Sequence, residues 1–236
     1  MGKANRARQR AAQLREQRRA AERRRRAILT TVAVVAFLLI AGGIGYGVYV
    51  SQQPEEVMAP RVAVDDDTGL AVGDGPVTVE LYVDFLCPHC KEYEEATAEV
   101  LDEYLESGRI TLVYHPVNFL DPLTSTRYST RAAAAAAIAA EEGKLREYAT
   151  ALFANQPPEN SEGLTDDQLI EIGRSVGLTS DAFAEAVRSD KYHDWVSYVA
   201  RQASRDGVRG TPTVLVNGKQ VEELTPEALR RAIESA

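Results

Sequence analysis

The sequence predicts an α/β sandwich with an inserted block of helices, carried behind a single N-terminal transmembrane helix. Three observations predict it: residues 27–50 hold no charge, residues 76–115 read strand, helix, strand, and a helical run over about 124–206 is followed by strand, strand, helix. With two cysteines and three histidines in 236 residues, a disulfide-stapled mini-domain and a four-thiolate metal centre are both excluded.

Residues 1–26 carry 11 Lys and Arg but only two acids, Glu16 and Glu22, while the remaining residues carry 16 basic against 33 acidic side chains. The whole-chain charge of −8 therefore describes neither part. As a helix, the 24 residues Ala27–Val50 extend about 36 Å against a hydrocarbon core of about 30 Å, enough for one span. The run is longer than the apolar part of a signal peptide and ends in Tyr49-Val50-Ser51-Gln52-Gln53 rather than a small-x-small site, which points to an uncleaved signal anchor. Positive charge stays cytoplasmic, so 1–26 are expected inside and 51–236 outside the cell membrane. The basic head has no aromatic for base stacking, and orientation plus attraction to an anionic lipid bilayer account for it without nucleic acid. Gly43 and Gly47 form a G-x-x-x-G, a spacing that allows helix dimers.

Residues 51–63, with Pro54 and Pro60, read as a linker, and a globular domain is expected over 64–236. Asp65–Asp67 and the following glycines mark turns around a short first strand or hairpin. Pro76–Phe85 alternates, with Val77, Val79, Leu81, Val83 and Phe85 on one face, and Tyr93, Ala96, Val100, Leu101 and Tyr104 then recur at helical spacing up to Gly108. Arg109–His115 is a second strand, and strand–helix–strand implies a parallel right-handed crossover. Helices are expected at the alanine run 132–137, at Leu145–Ala154, at Thr165–Val176 and at Ser180–Ser204 with a break near Asp190. Thr213–Val216 is a strand, Asn217-Gly218 a hairpin turn, and Thr225-Pro226 the cap and first turn of a closing helix.

Both cysteines lie in Cys87-Pro88-His89-Cys90, where a strand ends and a helix begins. The unpaired N–H groups and positive dipole end of a helix start favour a thiolate, and His89, when protonated, adds a cation. A stabilised thiolate makes the reduced pair more stable, so its disulfide readily oxidises something else. Cys87 is expected to be the exposed nucleophile and Cys90, one turn on, the buried resolving thiol. A permanent bridge closing so short a ring gains little chain entropy. Thiolates also hold Cu(I) or zinc, but no second ligand pair exists in the chain, and His115 and His193 read as surface or packing residues.

In Asp84-Phe85-Leu86-Cys87-Pro88-His89-Cys90 after a strand, in the helical insertion, and in Gly210-Thr211-Pro212-Thr213 before the last hairpin, the chain from about Val64 to Ala236 resembles the DsbA-like branch of the thioredoxin superfamily. The resemblance implies a thioredoxin fold with an inserted helical subdomain. It also implies thiol–disulfide exchange with proteins outside the cytoplasm through a redox-active Cys87–Cys90 disulfide, with no other cofactor and no metal. Pro212 matches the family's cis-proline, and Thr211 before it would offer backbone groups to an extended client peptide, an edge-strand mode of binding. One position departs from the pattern: where the family often has a buried acid, six residues before the first cysteine, this chain has Leu81. Glu80 and Asp84 lie on the opposite strand face, so either Asp84 acts at a distance or Cys90 loses its proton by other means.

The expectation is a membrane-tethered oxidase that donates its disulfide to reduced secreted or surface proteins and is re-oxidised by a quinone-coupled membrane protein. Two alternatives stand beside it. One is a reductase or isomerase kept reduced by a membrane donor, with which Thr211 is compatible. The other is a tethered metal carrier or peptide-binding module without turnover.

Overall fold

The computed structural model describes residues 23, 24, 29, 31, 32, 34–47 and 57–236. Most of the basic head, the ends of the predicted span and the linker up to residue 56 lie outside the described residues. Contacts divide the chain into two units, Met1–Glu55 and Glu56–Ala236. In the first, residues 34–47 are helical, with Phe37, Leu38, Leu39, Ile40 and Ile44 exposed. Among the described residues no helix is long and apolar enough to cross a membrane.

The second unit is built on a six-stranded sheet in the order β1-β2-β4-β3-β5-β6. Its strands are β1 (Ala63–Val64), β2 (Gly69–Val72), β3 (Val77–Val83), β4 (Ile110–Pro116), β5 (Thr213–Val216) and β6 (Lys219–Gln220). Only β3 and β4 run parallel, because α1 (Pro88–Glu106) crosses between them, while the other pairs are joined antiparallel. The register sets Leu81 opposite Tyr114 and Val214 on one face, and Tyr82 opposite His115 and Thr213 on the other. β1 starts at Ala63, inside the segment read from sequence as linker.

α1 buries Cys90, Tyr93, Glu94, Thr97, Val100, Leu101 and Tyr104, a stripe at three- and four-residue spacing that faces the sheet. It ends where Gly108 takes a left-handed φ of 64°, which lets the Gly108 amide donate to the Leu105 carbonyl and the Arg109 amide to the Tyr104 carbonyl. Asn217 and Gly218 both have positive φ, 48° and 74°, the turn that matches strand twist between β5 and β6.

Between β4 and β5 a short 3-10 turn (Asp121–Leu123) leads into α2 (Tyr128–Glu141), α3 (Leu145–Ala154), α4 (Asp166–Ser175), α5 (Asp181–Arg188) and α6 (His193–Arg205). The alanine run makes α2 the hub: every residue from Ala132 to Ala139 is buried, and methyl-sized side chains let α3, α4, α5 and α6 all pack on it. α3 is tied to α1 by charge, with Arg146 donating to Glu94, to Asp102 at 2.7 Å and to the Tyr114 hydroxyl at 2.9 Å. A closing helix, α7 (Pro226–Glu234), is capped by Thr225 and packs on α1.

Candidate active site

β3 ends at Val83, and Asp84-Phe85-Leu86 turns the chain so that the Cys87 amide donates to the Asp84 carbonyl at 2.9 Å. Cys87 is then the N-cap of α1, Pro88 its first residue, and the Cys87 carbonyl accepts from the Cys90 and Lys91 amides. Proline suits this place because the amide it lacks has no helical partner there. Both cysteines are free thiols.

Their environments differ sharply. The Cys87 thiol is pulled down to about 5, first by the thiol of Cys90, then against the cost of its own burial, with help from Thr211 and from the amides of Cys90 and His89 at the open helix turn. Cys90 moves the other way: burial, its donation to Cys87 and the charge there hold its thiol well above the ordinary range. At neutral pH the pair is one thiolate and one thiol, the state a nucleophile and its resolving partner require.

The expectation of an exposed Cys87 is corrected. Its residue is 6% exposed, because the loop before β5 closes over it and its thiol lies 3.3 Å from the Thr211 carbonyl. The Thr211–Pro212 peptide bond is cis. Access is through a groove of about 530 Å³ lined by Cys87, Pro88, His89 and Thr211 together with Phe119, Leu120 and Val208. Glu159 and Arg209 bring opposite charges to its lining.

His89 is mostly exposed, and its ring meets Glu92 at 3.0 Å, which raises its pKa first, with the Cys87 charge a lesser cause. What His89 supplies directly to the sulfur is its backbone amide. Leu81 is buried between Tyr114 and Val214. Asp84 is fully buried, and its carboxylate accepts from the Leu86 and Leu120 amides, each at 2.9 Å. It therefore fastens the cysteine turn to the loop after β4, and the part of Asp84 that reaches Cys90 is its backbone. Burial pushes the Asp84 carboxyl up to about 6.

Gln156, just after α3, was invisible to sequence reasoning. Its amide nitrogen donates to the Phe85 and Cys87 carbonyls, both at 3.0 Å, so the helical insertion grips the cysteine turn directly. Phe119, Leu120, Glu159 and Arg209 were missed as well, and a lone polar or apolar residue in a loop carries no periodic signal. Among the described residues no three His, Cys, Asp or Glu side chains are placed so that they could hold a metal ion.

The sequence profile of the thioredoxin family matches residues 66–235. The chain is similar to DsbA from Mycobacterium tuberculosis, whose reduced crystal structure it matches at 30% identity and a TM-score of 0.63, over 71% of this chain and 91% of that one. It is 26% identical over 187 residues to the probable disulfide bond formation protein D of Bacillus cereus, covering 78% of this chain and 84% of that protein. It is also 32% identical over 185 residues to the Na(+)/H(+) antiporter NhaA 3 of Salinispora tropica, covering 77% of this chain and 27% of the antiporter. The chain thus spans about a quarter of that protein's length.

Proposed function

The chain belongs to the thioredoxin family, as a thiol–disulfide oxidoreductase of the DsbA type, and from that premise we propose that it works as a dithiol oxidase held at the outer face of a membrane. The observation that carries the direction is the Cys87 thiol at about 5 beside a Cys90 thiol held well above the ordinary range. A client thiolate attacks the Cys87 sulfur of the Cys87–Cys90 disulfide, and the electron pair of the broken S–S bond leaves on Cys90, which takes up a proton. The client's second thiolate then attacks its own sulfur in the mixed disulfide and expels Cys87 as thiolate, a good leaving group because its pKa is low. Two electrons pass from client to enzyme, and a quinone-coupled membrane protein takes them on.

The Thr211 backbone beside Cys87 holds the client as an extended strand, and the apolar wall of Phe119, Leu120 and Val208 accepts side chains of varied sequence. The basic head and the uncharged run 27–50 support tethering, with the catalytic unit outside the cytoplasm. The test is the reduction potential of the Cys87–Cys90 pair by equilibration against glutathione buffers. A value at the oxidising end, nearer about −120 mV than about −270 mV, is expected, and a thioredoxin-like value would replace the oxidase by the reductase or isomerase. Thr211 before the proline is compatible with that second reading, and a pair found reduced in intact cells would select it.

A further inference from the structure

Two charged side chains that line the groove beside Cys87 are spent on no partner among the described residues. Glu159 and Arg209 are both exposed there, and neither side chain makes an ion pair or a hydrogen bond. By contrast, His89 meets Glu92 at 3.0 Å on α1, and Arg205 donates to the Gln202 side chain at 3.4 Å on α6.

The two charges come from different walls. Glu159 belongs to the helical insertion, where Gln156 holds the Cys87 carbonyl at 3.0 Å, Pro157 and Pro158 restrict the backbone, and the Ser161 hydroxyl donates to the Pro158 carbonyl at 2.7 Å. Its charge reaches His89, whose pKa is raised first by Glu92, with Cys87 and Glu159 as lesser causes. Glu92 balances a protonated His89, so Glu159 leaves that wall negative. Arg209 stands in the loop before β5, two residues ahead of Thr211, whose carbonyl lies 3.3 Å from the Cys87 thiol. The Val208 amide donates to the Ala203 carbonyl at 2.9 Å and the Thr213 hydroxyl to the Gly210 carbonyl at 2.8 Å. Both charges therefore ride on backbone fixed on either side, which lowers the ordering cost of using them.

In an extended chain, residues two apart share a side. A client strand whose cysteine meets Cys87 alongside Thr211 brings one flank of that cysteine against Arg209 and the other against the wall of His89 and Glu159. Resting on that client-binding reading, we propose that Arg209 and Glu159 select clients by charge order, an acidic residue on one flank of the reactive cysteine and a basic residue on the other. Main-chain bonds to Thr211 carry little sequence information, and the two charges supply it by speeding encounter and fixing register. A client with the reverse order meets like charges on both flanks.

The test uses the reduced full chain in detergent and two peptides of identical composition, each with one cysteine held as its mixed disulfide with thionitrobenzoate. One peptide has Glu two residues before the cysteine and Lys two after, and the other has the reverse. The Cys87 thiolate attacks the peptide's cysteine sulfur, the S–S bond breaks, and thionitrobenzoate leaves with the electron pair, its absorbance giving the second-order rate constant. One order is expected to react at least about fivefold faster at low salt, with the ratio falling below about twofold in about 1 M salt. The double variant Arg209→Glu with Glu159→Lys is expected to prefer the opposite order. Rates equal within about twofold at low salt, a ratio that persists in about 1 M salt, or a preference unmoved in the double variant each overturns the proposal. Failure to react with either peptide removes the client-binding reading and the proposal with it. The reduction potential decides between oxidase and reductase without entering the ratio, so charge selection and direction fail separately.

Discussion

At Cys87 the reactive sulfur receives its stabilisation from groups within one helical turn and from the loop before β5. Its thiol titrates at about 5 in the folded reduced protein and near 9 in the unfolded chain. A depressed folded pKa contributes stability that is present above the unfolded value and is lost as pH falls through about 5. The disulfide form has no such group, while the raised Asp84 carboxyl is common to both forms and cancels in their difference. The reduced protein is therefore expected to be the more stable form at pH 7 by about 2 kcal/mol, after discounting for solvent at the groove, with the gap closing by pH 4. Urea titrations of both forms at the two pH values check this, and a gap independent of pH would contradict it. Because the Cys90 thiol is the largest cause, Cys90→Ala is expected to move the midpoint of thiolate absorbance at Cys87 clearly upward from about 5.

Among the elements, the inserted helices do more than cover the sheet. α3 is joined to α1 through Arg146, Glu94 and Asp102, and Gln156 after it holds the carbonyls of the cysteine turn. Gln156→Leu leaves the Phe85 carbonyl short of a donor, so stability is expected to fall by about 1–3 kcal/mol and client oxidation to slow. Chemical denaturation and single-turnover oxidation of a reduced test protein measure the two effects. Unchanged turnover in a folded variant would mean that the insertion grips the turn without shaping its chemistry. Helices such as Leu145–Ala154 and the break near Asp190 were legible because apolar spacing and punctuating glycines and prolines are local. Which helix would touch the cysteines was not, since Gln156 and Cys87 are 69 residues apart in sequence.

For the whole molecule, all the described thiol contacts lie within the unit Glu56–Ala236. A chain beginning at residue 57 is accordingly expected to keep the reduction potential of the full chain, while only the full chain floats with lipid vesicles. A shifted potential in the shorter chain would show that the N-terminal part acts on the site, and a full chain that stays off vesicles would remove the tether. The sequence alone determined the order of elements, the place of Cys87-Pro88-His89-Cys90 at a helix start, and the hairpin at Asn217-Gly218, because these depend on periodicity and on backbone preferences of a few adjacent residues. It could not show that Cys87 lies beneath the Thr211 loop, that Asp84 spends its carboxylate on the Leu86 and Leu120 amides, or that His115 faces Asp65 and Glu80. Those facts belong to the tertiary structure, because burial, hydrogen-bond partners and shifted pKa values arise only when segments far apart in the chain are packed together.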